Sequence, residues 1–267
     1  MVDPKAIRTE RVRTAHDLVS AAIFSSNTFQ SRPWFRGSAD ASWELSPSLF
    51  RKRADGWLPP DIGVYERTIT NDFLRFAPSR RANVPPRTQV PEWLCLMRHY
   101  GLPTRILDWS TSVLVAGYFA VIERPDACAD IWALDVCGLN GDAVGKPEHL
   151  SLMGDDDAVR ALARYPFTGG TLPDVPAVGV IVPEIDTRML LQQSCFTLHS
   201  TGAALEALPV MATRLIRFHI DKGDKGEIAA QLGMLGFSRM TLFPDLDSVT
   251  STIASWRYGS SKGGVVE

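Results

Sequence analysis

The chain has 267 residues, a formal net charge of −2 and a hydrophobic content of 45%. A polypeptide of this length and composition can bury a large core, as one domain or as two smaller ones. No apolar run approaches the ~18–20 residues that span a bilayer, and the charged segment 1–10 lacks a hydrophobic signal sequence. We therefore expect a cytoplasmic globular protein with no membrane partner.

The N-terminal half is predicted to alternate helices with short strands. Apolar residues at helical spacing predict helices over residues 14–24, 62–77, 90–100 and 113–121, and β-prone segments predict strands at 34–37 and 104–107. Thr14 is a suitable helix cap, with Leu18, Ala22 and Ile23 expected on the buried face of the first helix. Gly101 is expected to end the third helix.

The C-terminal half continues this irregular mixture. Strands are predicted at 131–136, 177–182, 195–199 and 213–220, and helices at 184–193, 225–235 and 246–256. Helices and strands without a regular alternation favour an α+β fold over a parallel α/β fold. We predict one compact domain with a mixed or antiparallel sheet flanked by helices. It comprises an N-terminal helical extension (1–28), a main domain (29–258) and a flexible tail (259–267).

The distribution of cysteine, histidine and acidic residues argues against a metal site. Four cysteines and five histidines are scattered without a Cys-x-x-Cys or His-Glu-x-x-His motif, so no metal is expected. Cys95 and Cys195 lie in apolar segments and are predicted to be buried thiols. A metal-dependent nuclease would need clustered acids, and the only run, at 155–157, is better explained as a solvated loop.

Basic residues are concentrated in the N-terminal part of the chain. Residues 1–110 contain 16 Lys and Arg against 11 Asp and Glu, whereas residues 111–267 contain 12 against 19. This asymmetry fits an anionic partner such as a nucleotide or nucleic acid. A general preference for arginine, which accounts for 22 of the 28 basic residues, is the simpler explanation of the basic clusters by themselves.

Arg36 and Glu66 are residues whose chemistry needs an explanation. Arg36 ends an aromatic strand, so its guanidinium can be aimed at a phosphate or carboxylate, and Gly37 lets a ligand or a backbone approach closely. Glu66 falls on the apolar face of helix 62–77, where an isolated carboxylate is costly. Glu66 therefore either forms a structural ion pair with Arg36 or Arg105, or acts as a general base.

Residues 98–112 form the segment richest in polar side chains, between two apolar segments. His99 is either a capping or core histidine or a site residue. Asp108 is placed to orient His99 or an arginine. The hydroxyl groups of residues 110–112 either cap the following helix or help its N-terminus to bind an anion.

Several ordered motifs resemble the FRG domain, a family named for Phe-Arg-Gly. The opening motif is Trp34-Phe35-Arg36-Gly37, continued to residue 50, and the resemblance is strongest from His99 to Ser110. The remaining matching positions are Glu66, residues 92–94, residues 118–120, Arg188, Gln192, Gln193, Phe196 and residues 242–247. The chain departs from the family at Arg98 and Ser194, where glutamine and glycine are usual. The main domain at 29–258 is accordingly identified as an FRG domain.

FRG domains are mostly uncharacterised and occur in bacteria and phages, often near defence or toxin loci. The chain is also similar to the ADP-ribosyltransferase fold, which implies an ADP-ribosyltransferase-like sheet. Those enzymes hold NAD with an arginine or histidine on the first strand, a hydroxyl or tyrosine motif on a later strand and a glutamate near the last. Arg36 and residues 110–112 match the first two elements. Residues 192–196 occupy the third place without an acid, so Glu66 or Glu184 supplies it, a glutamine does less demanding work, or no transfer occurs.

Two functions follow from these resemblances. The first is an NAD-dependent ADP-ribosyltransferase-like toxin or phage-defence effector that modifies nucleic acid or protein, with Arg36, His99 and Glu66 as catalytic residues. NAD would then contact Arg36, Gly37, Tyr100, Thr104, Arg105, Asp108, Ser110 and Gln193. The second is a non-catalytic nucleotide-binding or partner-binding sensor of a defence system. Both are compatible with a neutralising or regulatory partner protein.

Overall fold

Eight strands form one mixed sheet at the centre of the computed structural model, which describes residues 6–182, 184 and 186–258. The strands are β1 (Arg8–Arg11), β2 (Trp34–Ser38), β3 (Ile106–Ser110), β4 (Ala129–Leu134), β5 (Leu150–Ser151), β6 (Ala177–Ile181), β7 (Ser194–His199) and β8 (Leu215–Ile220). Their order is β1-β8-β4-β2-β3-β7-β6-β5. The outer pairs β1–β8 and β5–β6 are parallel, and the other pairs are antiparallel. The predicted α+β class and single domain are confirmed, and the predicted tail at 259–267 lies outside the described residues.

The described residues include ten α-helices. They are α1 (Ala15–Phe29), α2 (Ile62–Phe76), α3 (Val90–His99), α4 (Val113–Val121), α5 (Val136–Val144), α6 (Asp157–Thr168), α7 (Thr187–Leu191), α8 (Lys225–Met234), α9 (Arg239–Leu242) and α10 (Leu246–Tyr258). Of these, α4, α5, α6 and α7 contact strands of the sheet directly. No helix in the described part of the chain is both long enough and apolar enough to cross a membrane.

Local sequence signals place several helix ends correctly. Thr14 caps α1 by accepting from the Asp17 amide, while the Asp17 carboxylate accepts from the Thr14 amide. Gly101 adopts a φ of +77° just beyond α3, a conformation that suits glycine. The bounds of α4 agree with the predicted helix at 113–121. These features depend on contacts between residues close in sequence, so the sequence predicts them well.

Helices α5 and α6 and strands β1 and β5 are absent from the sequence prediction, which also misplaces one buried face. Helix α5 contains two glycines and begins at the Asp135 cap, a composition with weak helical propensity. Asp156 caps helix α6 by accepting from the Ala158 and Val159 amides, so the acidic run predicted as a solvated loop instead starts a helix. On α1 the expected face is wrong at Ile23, which is 59% exposed, because the helix buries small residues such as Ala21 against α4.

The segment predicted as an N-terminal helical extension holds both a strand and a helix. Strand β1 pairs with β8, and α1 packs against α4 and α8. Leu18 is fully buried in the same apolar cluster as Phe35 of β2. Residues 8–28 therefore belong to the same sheet and core as the strands that carry the candidate site.

Candidate functional site

A cleft of about 760 Å³ lies where β2, β3 and β7 meet α3, α4 and α7. Four arginines line it, namely Arg36, Arg51, Arg98 and Arg188, and we call it the arginine cleft. Aromatic and aliphatic side chains including Phe35, Phe119, Met189 and Phe196 form the rest of its wall. This combination of apolar wall and a few polar groups, and this volume, are typical of small-molecule sites.

Asp108 on β3 joins two of these arginines. Arg98 Nε donates to both carboxylate oxygens at 3.0 Å, and Arg98 Nη2 makes a further short contact with Oδ2. Arg36 Nη1 donates to the Asp108 carbonyl oxygen at 2.6 Å and lies 3.8 Å from Oδ2. Burial raises the pKa of Asp108, but Arg98 and then Arg36 outweigh it and keep the pKa below its usual value. Asp108 is thus an ionised carboxylate that fixes both guanidinium groups.

Positive charge in the cleft exceeds negative charge. Burial, reinforced by Arg51 and Arg98, lowers the pKa of Arg36 to about 10, so Arg36 stays protonated at neutral pH. Burial also lowers the pKa of Arg51 and of Arg188. Against these four cations, the described cleft residues include only two carboxylates, those of Asp108 and Glu123. An anion bound here would restore the charge balance.

The two arginines outside the Asp108 cluster are held by neutral groups. Arg51 Nε donates to the Ser46 carbonyl oxygen at 2.8 Å. The guanidinium of Arg188 lies 4.6 Å from the centre of the Phe243 ring. Because neither is paired with a nearby carboxylate among the described residues, both retain the capacity to bind an anion.

His99 lies at the cleft but pairs with a residue that the sequence did not indicate. Its Nδ1 is 2.9 Å from Asp186 Oδ2, and Asp186 also caps α7 by accepting from the Met189 amide. Burial raises the pKa of Asp186, but the contact with His99 and the backbone bond leave it below its usual value. Tyr100 next to it is 60% exposed. Of the two partners expected for Asp108, histidine or arginine, the structure has arginine.

The hydroxyl groups of residues 110–112, at the end of β3 and just after it, form hydrogen bonds with nearby backbone and side-chain groups. Ser110 Oγ donates to the Gln192 carbonyl oxygen at 2.7 Å and accepts from the Ser112 amide at 3.0 Å. Ser112 caps α4 by accepting from the Val115 amide, and Thr111 Oγ1 donates to the side-chain oxygen of Gln193. Capping therefore accounts for Ser112, whereas Ser110 and Thr111 bond to the neighbouring segment at Gln192 and Gln193.

Glu66 and Arg105 form a sealed ion pair away from the arginine cleft. They are 2% and 1% exposed, respectively. Arg105 Nε donates to Glu66 Oε1 at 2.9 Å, Nη2 contacts Oε2, and Nη1 donates to the His199 carbonyl oxygen at 2.8 Å. Burial raises the pKa of Glu66 and the bonds from Arg105 oppose that shift. The structure thus places Glu66 in the structural ion pair that the sequence offered as one alternative, and Glu184, the other proposed acid, is exposed and does not line the cleft.

Two other predicted NAD contacts do not line the cleft, and a third, Gly37, does. Thr104 is buried outside the cleft, and Gln193 is exposed beside it without lining it. Gly37 does line the cleft, but it is the backbone of α4 that approaches it, because a Cβ atom there would clash with the Ala116 carbonyl oxygen. Of the predicted residues, the cleft brings together Arg36, Gly37, His99, Tyr100, Asp108 and Ser110.

Sequence reasoning missed Arg51, Arg98 and Arg188 as site residues. Each nevertheless left a signal: Arg51 belongs to a basic cluster, Arg98 departs from the family pattern, and Arg188 fits a later motif. What the sequence does not show is that the loop before α2, the end of α3 and the start of α7 converge on one cleft.

One comparison with known proteins found a family model that matches part of the chain. Residues 31–128 match the family model described as the FRG domain. That range contains Arg36, Arg51, Arg98 and Asp108, and it ends before α7, which supplies Arg188. Neither the curated proteins nor the solved structures include a match to this chain.

Proposed function

We propose that the arginine cleft, three of whose arginines lie in the segment 31–128 that matches the FRG domain model, binds a nucleotide through its phosphate groups. The observation that carries this proposal is the convergence of four guanidinium groups on one cleft whose described residues include two carboxylates. Asp108 neutralises part of the charge of Arg36 and Arg98. Arg51 and Arg188 remain available for oxygen atoms of the ligand.

Arginine is well suited to this role because its planar fork binds phosphate oxygens in a bidentate manner. Asp108 holds Arg36 and Arg98 in place before a ligand arrives, which reduces the entropy lost on binding. The wall formed by Phe35 and Phe119 offers apolar surface for a base. The cleft volume accommodates a dinucleotide such as NAD as well as a mononucleotide.

Isothermal titration calorimetry with ADP, NAD, ADP-ribose and adenosine tests the proposal. We expect at least one phosphate-bearing compound to bind, adenosine to bind more weakly, and affinity to fall with added salt. Arg188→Gln and Arg51→Gln should each weaken binding ~10–100-fold, the loss expected for a charge-assisted hydrogen bond. Arg164→Gln, at an exposed position outside the cleft, is the matched control and should bind like the wild type.

Two results would contradict nucleotide binding. One is the absence of binding by all three phosphate compounds to a folded protein. The other is equal affinity of the Arg188→Gln, Arg51→Gln and Arg164→Gln variants, because binding would then not depend on the cleft. A thermal unfolding curve of each variant ensures that a loss of affinity is not a loss of folding.

ADP-ribosyl transfer from NAD is a second candidate, favoured by Glu123. This residue lines the cleft, and its carboxylate has no ion pair or hydrogen bond among the described residues. In such a transfer the bond between nicotinamide and the ribose C1′ breaks, and the acceptor forms a new bond to C1′. Nicotinamide leaves with the electron pair, and Glu123 would take the proton of the acceptor. Arg36 would hold the pyrophosphate.

Release of nicotinamide from NAD in the presence of RNA, DNA or cell lysate measures this reaction. Glu123→Gln should abolish release while NAD still binds, and Glu184→Gln should leave release unchanged. If the wild type binds NAD but releases no nicotinamide with any acceptor, the protein is a nucleotide-binding module without transferase activity. Action as a toxin, as a phage-defence effector or as a sensor stays a prediction from the family resemblance, as does a neutralising partner.

A further inference from the structure

We propose that Cys128, His219 and Asp221 bind a zinc ion at the end of the β4–β8 ladder. One ligand atom from each residue lies within 4.8 Å of the other two, and all three residues are half-buried. None of them lines the arginine cleft. The set of one sulfur, one nitrogen and one oxygen ligand suits zinc, which accepts all three.

Strand pairing explains why residues so distant in sequence meet. In the antiparallel β4–β8 ladder, Asp130 is paired with His219 and Ala129 with Ile220. Cys128 directly precedes β4 and Asp221 directly follows β8, so these two residues continue the ladder by one step. Side chains two residues apart on a strand share a face. Cys128 and Asp130 from one strand therefore meet His219 and Asp221 from the other on one side of the sheet.

Asp130 orients the histidine for metal binding. Its Oδ1 lies 2.8 Å from His219 Nδ1, and Asp130 is only 1% exposed. A proton on Nδ1 that is donated to Asp130 leaves Nε2 as an acceptor in the neutral ring. Nε2 lies 3.5 Å from Asp221 Oδ1, so in that tautomer two acceptors face each other. A metal cation between them satisfies both, and a carboxylate behind the histidine is the arrangement that zinc sites use to fix the imidazole.

The charges around the three ligands are compatible with a divalent cation. Arg217 contacts Asp130 Oδ2 at 2.6 Å. Arg11 contacts both Asp221 and Asp224, the latter at 3.4 Å. If Asp221 turns to the metal, Arg11 therefore still has Asp224 as its ion-pair partner. Tetrahedral zinc, with bonds of about 2.0–2.3 Å, places its ligand atoms roughly 3.5 Å apart. The ligand atoms must therefore approach one another by about 1 Å when zinc binds, and the two side chains that would turn are Cys128 and Asp221, which lie just outside β4 and β8.

Absorption spectroscopy with cobalt(II), followed by displacement with zinc(II), tests the site in the full chain after treatment with a chelator. We expect one equivalent of cobalt to produce a thiolate-to-cobalt charge-transfer band and zinc to remove it. Cys128→Ser should abolish this band. Cys137→Ser, which changes another half-buried free cysteine, should retain it. Asp221→Asn and Asp130→Asn should each weaken cobalt affinity ~10–100-fold, by loss of a ligand and of its orienting partner, respectively.

The alternative is an ion pair between a protonated His219 and its two carboxylates, without a metal. Two results would favour this ion pair and overturn the zinc proposal. One is a wild type without a charge-transfer band, and the other is a Cys128→Ser variant that binds cobalt as the wild type does. Circular dichroism and thermal unfolding of the metal-free variants establish that each is folded. Added zinc should raise the unfolding temperature of the wild type and of Cys137→Ser, but not that of Cys128→Ser.

Discussion

Replacement of Glu66 by glutamine separates a structural role of this residue from a catalytic one. In the folded protein Glu66 accepts two hydrogen bonds from Arg105, and both side chains are almost completely buried. Glu66→Gln keeps one oxygen acceptor but turns an amide group towards the guanidinium. Arg105 would retain the His199 carbonyl oxygen and its position over the Tyr165 ring, at 4.7 Å. Neither of these neutralises the buried positive charge.

The expected cost is about 3–5 kcal/mol, the range measured when one partner of a buried ion pair is removed. Such a loss is a large fraction of the total stability of a domain, which is about 5–15 kcal/mol. Urea unfolding, followed by tryptophan fluorescence, should therefore show a much lower midpoint for Glu66→Gln. The double variant Glu66→Leu/Arg105→Met removes both charges and should recover most of the stability, because an apolar pair of similar volume often replaces a buried ion pair at little cost.

Ligand binding provides the decisive comparison. Since Glu66 lies outside the arginine cleft, folded Glu66→Gln should bind nucleotides with the affinity of the wild type. Unchanged stability together with a tenfold or greater loss of nucleotide binding or nicotinamide release would refute the structural assignment of Glu66. It would also show that the ion pair opens during function.

Three further predictions concern stability. Burial, with the charges of Arg105 and Arg36, lowers the pKa of His199 from 6.5 to about 3. Between these two pH values the unfolded chain binds more protons than the folded one, so the free energy of unfolding falls as the pH falls, by about 1.4 kcal/mol per pH unit. A pH slope of the same size in His199→Gln would contradict this. Gly37→Ala forces a Cβ against the α4 backbone and should lower the free energy of unfolding in urea by about 3 kcal/mol or more. Gly233→Ala, in open space on α8, should leave that free energy unchanged or raise it. The Lys225 ammonium group lies within hydrogen-bond distance of four backbone carbonyl oxygens, which share its three N–H donors. Lys225→Met removes the donor from these acceptors and should lower the unfolding temperature well below that of the exposed control Lys222→Met.

The sequence was sufficient for features governed by near neighbours. Helix α4, the Thr14 cap and the turn at Gly101 follow from spacing and capping chemistry within a few residues. The motifs around Arg36 and Asp108 predicted that both belong to one site, and the structure brings both residues to the arginine cleft. Helix α5 escaped prediction because its two glycines give it weak helical propensity and its contacts with β6 stabilise it. Helix α6 carries an Asp156 cap and good helix formers, so its local signals were present and were overlooked.

Only the tertiary structure decided which partner each charged side chain has. Glu66 had Arg36 and Arg105 as possible partners, and Asp108 had His99 or an arginine, with nothing in the sequence to choose between them. The order of the strands makes the choice, since it seals Glu66 with Arg105 under α2 and leaves Arg36 with Asp108 in the cleft. Charge pairing acts over a few ångströms in space and not along the chain. The sequence by itself therefore determined which residues carry charge and where helices with clear local signals, such as α1 and α4, begin. The packing of strands distant in sequence determined which of those charges face the cleft.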